Sequence, residues 1–386
     1  MEYKKIEELT TVVTGGTPST AKPEYWNEGS IPWLQSGCCQ NCDVQSAEKY
    51  ITQEGYDNSS TRMMPPETVM IALTGATAGK VGYLRFEACG NQSITGILPC
   101  DSLNQRFLYY YLLSKREQIL ADCIGGAQPH ISQGYVKNMR VPVPDLEIQN
   151  DIVDRLTKLT SVLSLRERQL GLLDKIVSAR FVELFGNPLD GTARYPLHQV
   201  GDVAESVDPQ PSHRTPPIDE NGVPYVSIKD CDANTGIIDF DGARKVSRKV
   251  LEEHLNRYTL HEGDFIIGKI GTIGNPIFVP ARNDYTLSAN VVLIQPDNKL
   301  VSPYFLKYSF ESDFVERQFL EAKNSTSQAA FGIQKVRTVE VMNPDIEVQR
   351  KFELFVKQVD KSKVAVQKSL DETQILFDSL MQEYFG

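Results

Sequence analysis

Residues 141–152, VPVPDLEIQNDI, return at 341–352 as VMNPDIEVQRKF, with Pro144, Asp145, Glu147 and Gln149 answered by Pro344, Asp345, Glu347 and Gln349. An internal duplication constrains a fold more than composition does, because both copies must follow one structural plan. Further pairs extend it. IPWLQS from Ile31 answers VPYVSI from Val223, TAGKVGYL from Thr77 answers TIGNPIFV from Thr272, FLYYYLLSKRE from Phe107 answers FLKYSFESDFV from Phe305, and Val136 answers Val336. The offset grows from 192 to 200 along this part, as insertions in surface loops produce, and then stays at 200 as far as the paired ends FVELFG and MQEYFG.

A segment kept at one length reads as a rigid element, and its periodicity is that of a helix. From Ile152, apolar residues recur at Leu156, Leu159, Leu163, Leu170, Leu173, Val177 and Leu184, in steps of three and four interrupted by Arg166 and Arg180. The second copy has Phe352, Val356, Val359, Val366, Leu370, Phe377, Leu380 and Tyr384, with Lys363 and Thr373 as polar seam positions. Sustained over several heptads, this is a coiled-coil pattern. Proline disfavours helix in the residue before it, Asp145 and Asp345 are suited to cap the free amides, and Glu147 and Glu347 suit the positive end of the dipole. Gly186 and Gly386 are expected stops. Roughly 36–40 residues at 1.5 Å each predict a rod of about 55–60 Å.

The chain therefore divides into an α+β module at 1–144, a long helix at 145–186, a second module at 187–344 and a second long helix at 345–386. In each module strands with turn signals precede a helix, expected near Leu103–Asp122 and Ser302–Lys323, and NPLDGTAR (187–194) has linker chemistry. Two helices of equal length suit an antiparallel pairing that gives the molecule an approximate two-fold axis.

The remaining signals exclude more than they assign. The N-terminal segment has no apolar core region and no apolar run approaches membrane-spanning length, which predicts a cytoplasmic protein. Seven cysteines, an odd number, point to reduced thiols. Cys38, Cys39 and Cys42 contain one CxxC, short of the four ligands of a structural zinc site. GATAGK at 75–80 has one residue too few between its glycines and Val81 after its lysine, so it reads as a tight turn rather than a nucleotide-binding loop. Neither Pro-Asp pair is followed by the second acid and lysine of a metal-dependent nuclease, and the Pro-Pro-aromatic loop of an amino-methyltransferase is missing. The five histidines, His130, His198, His213, His254 and His261, form no motif with a nucleophile. The net charge of −10 argues against indiscriminate adhesion to nucleic acid but leaves room for local contact patches.

What remains is a set of amide, hydroxyl and basic side chains in predicted loops of both modules. The first offers Gln35, Ser36, Thr74, Thr77, Lys80, Gln92, Gln128 and His130. The second offers Ser227, Lys229, Lys269, Thr272, Ser288, Asn290 and Gln328, with Arg244, Lys245, Arg248 and Lys249 as a basic cluster. Gln and Asn pair bidentately with adenine, and Lys and Arg with guanine or phosphate, so the set is a candidate DNA-facing surface.

Two loop-rich modules, each followed by a long helix entered through RVPVPDLEIQ or its counterpart and left at LFG or YFG, resemble the specificity subunit of type I restriction-modification enzymes over nearly the whole chain. The resemblance implies a non-catalytic DNA reader with two target-recognition domains separated by two long antiparallel coiled-coil helices. Each domain reads one half of a split, asymmetric site, and the helices set the spacing. It also implies partners: double-stranded DNA, two methyltransferase subunits and motor-nuclease subunits. S-adenosylmethionine, ATP and Mg belong to those subunits, and no cofactor to this chain. A competing reading is a coiled-coil scaffold whose modules bind protein or carbohydrate. A chain carrying its own methyltransferase or nuclease activity has no motif in support.

Overall fold

The computed structural model describes residues 2–122, 130–212, 214–232, 235–269, 274–324 and 332–386. Both repeated segments are uninterrupted helices of 40 residues, Leu146–Phe185 and Ile346–Phe385, each about 60 Å long. Their starts correct one expectation. The backbone carbonyl of Asp145 accepts the amides of Ile148 and Gln149 at 3.0 and 3.1 Å, and that of Asp345 accepts those of Val348 and Gln349 at 2.9 and 3.2 Å. Both carboxylates are exposed and cap no amide among the described hydrogen bonds, so their contribution is a negative charge at the positive helix end. At the other end Gly186 adopts φ +79° and donates its amide to the Val182 carbonyl at 2.7 Å. A Cβ there would meet the Thr192 carbonyl oxygen at 1.9 Å, so only glycine makes this exit.

The chain forms two compact units, Met1–Glu167 with Lys368–Gly386, and Arg168–Gln367. Each long helix thus gives one half to each unit. The four consecutive segments read from the sequence follow the elements, whereas the compact bodies cut across them.

In the first unit, a five-stranded sheet runs in the order Val12–Thr14, Ile94–Ile97, Val69–Ala72, Val81–Leu84 and Cys42–Val44, antiparallel except for the last, parallel pair. A three-stranded sheet joins Lys49–Ile51, Ile31–Leu34 and Cys89–Gly90, and Tyr3–Lys5 pairs with Arg140–Pro142. The helix expected after the strands is two, Gln105–Ser114 and Arg116–Ala121, meeting at Lys115. Phe107, Leu108, Tyr110, Tyr111 and Leu112 from it pack in one core with Ile152, Leu156 and Leu163 of the first long helix and Phe377, Met381 and Phe385 of the second. The beginning of one helix therefore lies beside the end of the other.

The second unit repeats the plan. Ala204–Val207, Val291–Pro296, Phe265–Gly268 and Gly274–Phe278 form a four-stranded antiparallel sheet. Lys245–Val246, Val223–Val226 and Thr286–Leu287 form the three-stranded one, and Leu197–Gln199 pairs with Glu340–Met342. Helices Pro303–Phe310 and Asp313–Asn324 cover the sheet. Here Val177, Phe181 and Phe185 meet Phe352, Val356 and Val359, so the two helix halves again run antiparallel. The Phe185 ring lies 4.7 Å from Phe305 and 5.6 Å from Phe352, centroid to centroid, both edge-on. In the seam, Lys363 pairs with Asp174.

The heptad reading located most of the seam but passed over Phe181, Phe185, Met381 and Phe385, all buried. In its last turns each long helix packs into an α+β module as well as against its partner helix, so the buried stripe widens beyond two positions per heptad.

Candidate nucleic-acid interface

In the first unit the turn-forming sequences bring the candidate residues together at one edge. Gln35 and Ser36 follow the strand Ile31–Leu34 and open a short 3-10 turn, Ser36–Cys38. The GATAGK segment is the tight turn expected, with Gly75 at φ +74° and Gly79 at φ +73° between strands Val69–Ala72 and Val81–Leu84. Lys80 Nζ donates to Gln40 Oε1 at 2.6 Å and the Val81 amide to Asn41 Oδ1 at 3.0 Å, which ties the two turns. Thr74 forms a β-bridge with His130, and the Thr77 hydroxyl faces the Thr74 carbonyl at 3.4 Å. The Asn91 amide donates to the Leu34 carbonyl at 2.9 Å, placing neighbouring Gln92 next to Gln35 along the chain path. Gln92 Oε1 accepts the Thr17 hydroxyl at 2.6 Å. Gln35, Gln92 and His130 are exposed and Ser36, Thr74, Thr77 and Lys80 half-buried.

The second unit treats its candidates differently, and three leave the surface. Lys269 is 4% exposed, with Nζ 2.7 Å from Asp208 Oδ1. Ser288 is buried; its amide donates to the Val226 carbonyl at 2.8 Å and its hydroxyl accepts the Asn290 amide at 3.3 Å. Ser227 is buried with its amide and hydroxyl both on Asp230 Oδ2, at 2.8 and 2.9 Å. All three lie at strand ends, where backbone pairing draws side chains inward, so polarity alone misplaced them. Lys229 and Asn290 are exposed. Of the basic cluster, Arg244 donates to the Pro216 carbonyl at 2.6 Å and Lys245 lies in a strand. Arg248 and Lys249 stand exposed in the first turn of the helix Arg248–Leu255, a placement suited to an anion. Gln128, Thr272 and Gln328 lie outside the described residues.

Two polar assemblies support these edges, one half-buried and one buried, and polarity-based reading of the sequence singled out neither. In the first unit Asp43 receives Arg106 through both oxygens, at 2.7 and 3.2 Å, and Arg85 at 2.6 Å, while the Arg106 guanidinium lies 3.6 Å from the Tyr83 ring centre. Burial raises the Asp43 carboxyl, but the Arg106 and Arg85 hydrogen bonds outweigh it and hold the group below its ordinary range. In the second unit His254 is 2% exposed, with Nδ1 2.6 Å from the Thr286 hydroxyl and Nε2 2.5 Å from Gln210 Oε1. Gln210 offers an acceptor, so Nε2 carries the proton and Thr286 donates to Nδ1. Burial, aided by Arg257, pushes this imidazole below its ordinary value.

Among the described residues no three His, Cys, Asp or Glu side chains are arranged to hold a metal ion, and no helix is long and apolar enough to cross a membrane. Cys39 is buried, Cys38 half-buried and Cys42 exposed on the edge strand Cys42–Val44.

Several known proteins are similar to this chain in sequence. The specificity subunit of the type I restriction enzyme EcoR124I/EcoR124II from Escherichia coli is 30% identical over 167 residues, 42% of this chain and 41% of that protein. The MjaIX specificity subunit from Methanocaldococcus jannaschii is 29% identical over 191 residues, 48% of this chain and 43% of that protein. These two alignments therefore span less than half of either relative. A putative specificity subunit from Haemophilus influenzae, S.HindORF215P, is 23% identical over 325 residues, 81% of this chain and 76% of that protein. The crystal structure of a type I restriction-modification S subunit from M. genitalium superposes with a TM-score of 0.58 at 15% identity, covering 100% of this chain and 96% of that one, which establishes a shared fold. A chain from a structure concerned with complex assembly and conformational transition of the type I R-M system gives the same score and identity. The family model described as the type I restriction modification DNA specificity domain matches twice, at residues 1–173 and 197–373, each match taking in one α+β module with most of its long helix, and the chain belongs to that family.

Proposed function

We propose that this chain is the non-catalytic DNA specificity subunit of a type I restriction-modification enzyme, each α+β module reading one half of a bipartite, asymmetric site. The observation that carries the reading is the double family match laid over two modules of one plan. The candidate edge of the first unit supplies amides, hydroxyls and a lysine on closely set turns, and the second supplies Lys229, Asn290, Arg248 and Lys249. These are groups that read base edges and phosphates.

The long helices serve as the spacer between half-sites and as the docking surface for two methyltransferase subunits, with motor-nuclease subunits joining them. Exposed apolar side chains on both helices support docking: Leu165 (63%) and Ile375 (69%) in the first unit, Leu354 (68%) and Val364 (69%) in the second. S-adenosylmethionine, ATP and Mg act in those partners. With a net charge of −10, the chain alone binds DNA weakly and gains phosphate contacts from its partners.

The test is a gel-shift titration of the chain with and without its methyltransferase partner over a salt series, joined to methylation-sensitive sequencing of the host genome. A many-fold gain with the partner, a steep salt dependence and a split methylated motif are expected. A scaffold for protein or carbohydrate would show none of these.

A further inference from the structure

We infer that Gln149 and Gln349 are positioning residues that clamp each reading module to its spacer helix and thereby set how strictly the two half-sites are spaced. The inference rests on the DNA-reading function proposed above. Both side chains are 0% exposed. A buried carboxamide is tolerated only when its polar atoms find partners, and here they do. Gln149 Oε1 accepts the Asn104 amide at 2.8 Å, and its Nε2 donates to the Pro144 carbonyl at 2.8 Å and the Ser102 carbonyl at 3.3 Å. Gln349 repeats the set: Oε1 accepts the Ser302 amide at 2.8 Å, and Nε2 donates to the Pro344 carbonyl at 2.7 Å, with the Leu300 carbonyl at 3.5 Å.

The partners give these bonds their meaning. Asn104 and Ser302 are the N-cap residues of the module helices Gln105–Ser114 and Pro303–Phe310, and their side chains accept the Arg106 amide at 2.8 Å and the Phe305 amide at 3.3 Å. One carboxamide therefore joins two helix beginnings, the module's and the spacer's, inside each unit. Neighbouring polar links have diverged: Asn104 Nδ2 donates to Asn150 Oδ1 at 2.7 Å in the first unit, whereas the Ser302 hydroxyl donates to Glu353 Oε2 at 2.8 Å in the second. The carboxamide keeps its bonds to the cap residue's amide and to the proline carbonyl in both units, and Gln349 Nε2 adds Asn343 Oδ1 at 3.5 Å. Apolar contact between helix and module is non-directional and permits small rotations, but an amide that must satisfy an N–H and a C=O at once admits one arrangement. A tilt at this junction is carried outward to the base-reading loops.

The experiment uses the full chain with its methyltransferase partner in cells, comparing Gln149→Met, Gln149→Glu and the core control Leu156→Ala. Gln149→Met keeps the volume and removes both hydrogen-bonding functions. Methylation at spacers one base pair longer or shorter should then rise by roughly ten-fold, the scale on which one misplaced base pair is discriminated, with the half-site bases unchanged. Leu156→Ala should lower the melting temperature and leave the spacing strict. In Gln149→Glu the ionised carboxylate cannot donate to Pro144 and the protonated acid can. Its folded pKa is therefore raised, and its melting deficit relative to the unsubstituted chain should shrink as pH falls from 8 to 5. Strict spacing in Gln149→Met, relaxed spacing in Leu156→Ala, or a pH-independent deficit in Gln149→Glu overturns the inference and leaves the proposed function standing. An unsubstituted complex that methylates no bipartite site overturns both.

Discussion

The two α+β modules share strand order and differ in what they do with polar residues along it. In both, a parallel pair links the strand at 31–34 or 223–226 to a short strand at 89–90 or 286–287, and the next residue, Asn91 or Ser288, donates its amide back to Leu34 or Val226 at 2.9 or 2.8 Å. Yet Gln35 is exposed where its counterpart Ser227 is buried on Asp230, and of two lysines at strand ends that are not counterparts, Lys80 lies half-exposed on Gln40 and Lys269 is buried on Asp208. The first module adds the edge strand Cys42–Val44, bringing Asp43 to its arginines; the second has a buried histidine instead. Duplication thus preserved the backbone ladder and the helix junctions and released the loops, as the proposed reading of two different half-sites would require.

The largest effects should fall on what the modules share. Phe185→Ala and Phe385→Ala remove matched aromatic rings that are 0% and 4% exposed, and each should cost its own unit about 3–5 kcal/mol in a denaturant melt. Unequal losses would mark one junction as the weaker. A comparable effect is confined to the second module: Lys269→Ala strands Asp208, whose side chain is 14% exposed, at a cost of about 3–5 kcal/mol. Lys80→Ala should change stability by no more than about 0.5 kcal/mol and weaken DNA binding by the assembled complex. Equal melting temperatures for the two variants would erase the contrast.

Acid should separate the modules further. The His254 pKa lies below its unfolded value of 6.5, so the unfolded chain binds the proton more readily and stability falls as pH drops through 6.5. The Asp43 pKa lies below 3.8, so its contribution is complete above that value and is lost only as pH falls through the lower, folded one. Between pH 7 and 6 the second unit's transition should decline, and His254→Asn should abolish the slope. The smallest effect is expected at the repeat's acid: Asp145→Ala should cost about 0.3–1 kcal/mol through the helix dipole, well below Gln149→Met, as measured by thermal melting.

The repeat was legible in full because it is a relation between residues, independent of where they sit in space. So were the helices, whose heptads and constant offset survive without any knowledge of packing, and the GATAGK turn, which its glycines dictate. The candidate interface was legible only in part. Lys269, Ser227 and Ser288 carry the polarity of loop residues, and no local pattern says that a strand end will turn them inward. The terminal phenylalanines escaped the heptad for a related reason: their burial comes from a module distant in sequence.

The sequence by itself therefore determined two modules of one plan, two helices of one length and the family to which they belong, since periodicity and internal repetition are written along the chain. The tertiary structure decided which polar side chains face solvent and which are spent inside. It also decided that Gln149 and Gln349, not the neighbouring acids, hold the junctions, because a hydrogen bond between residues 45 or 47 positions apart exists only once the backbone has brought donor and acceptor within reach.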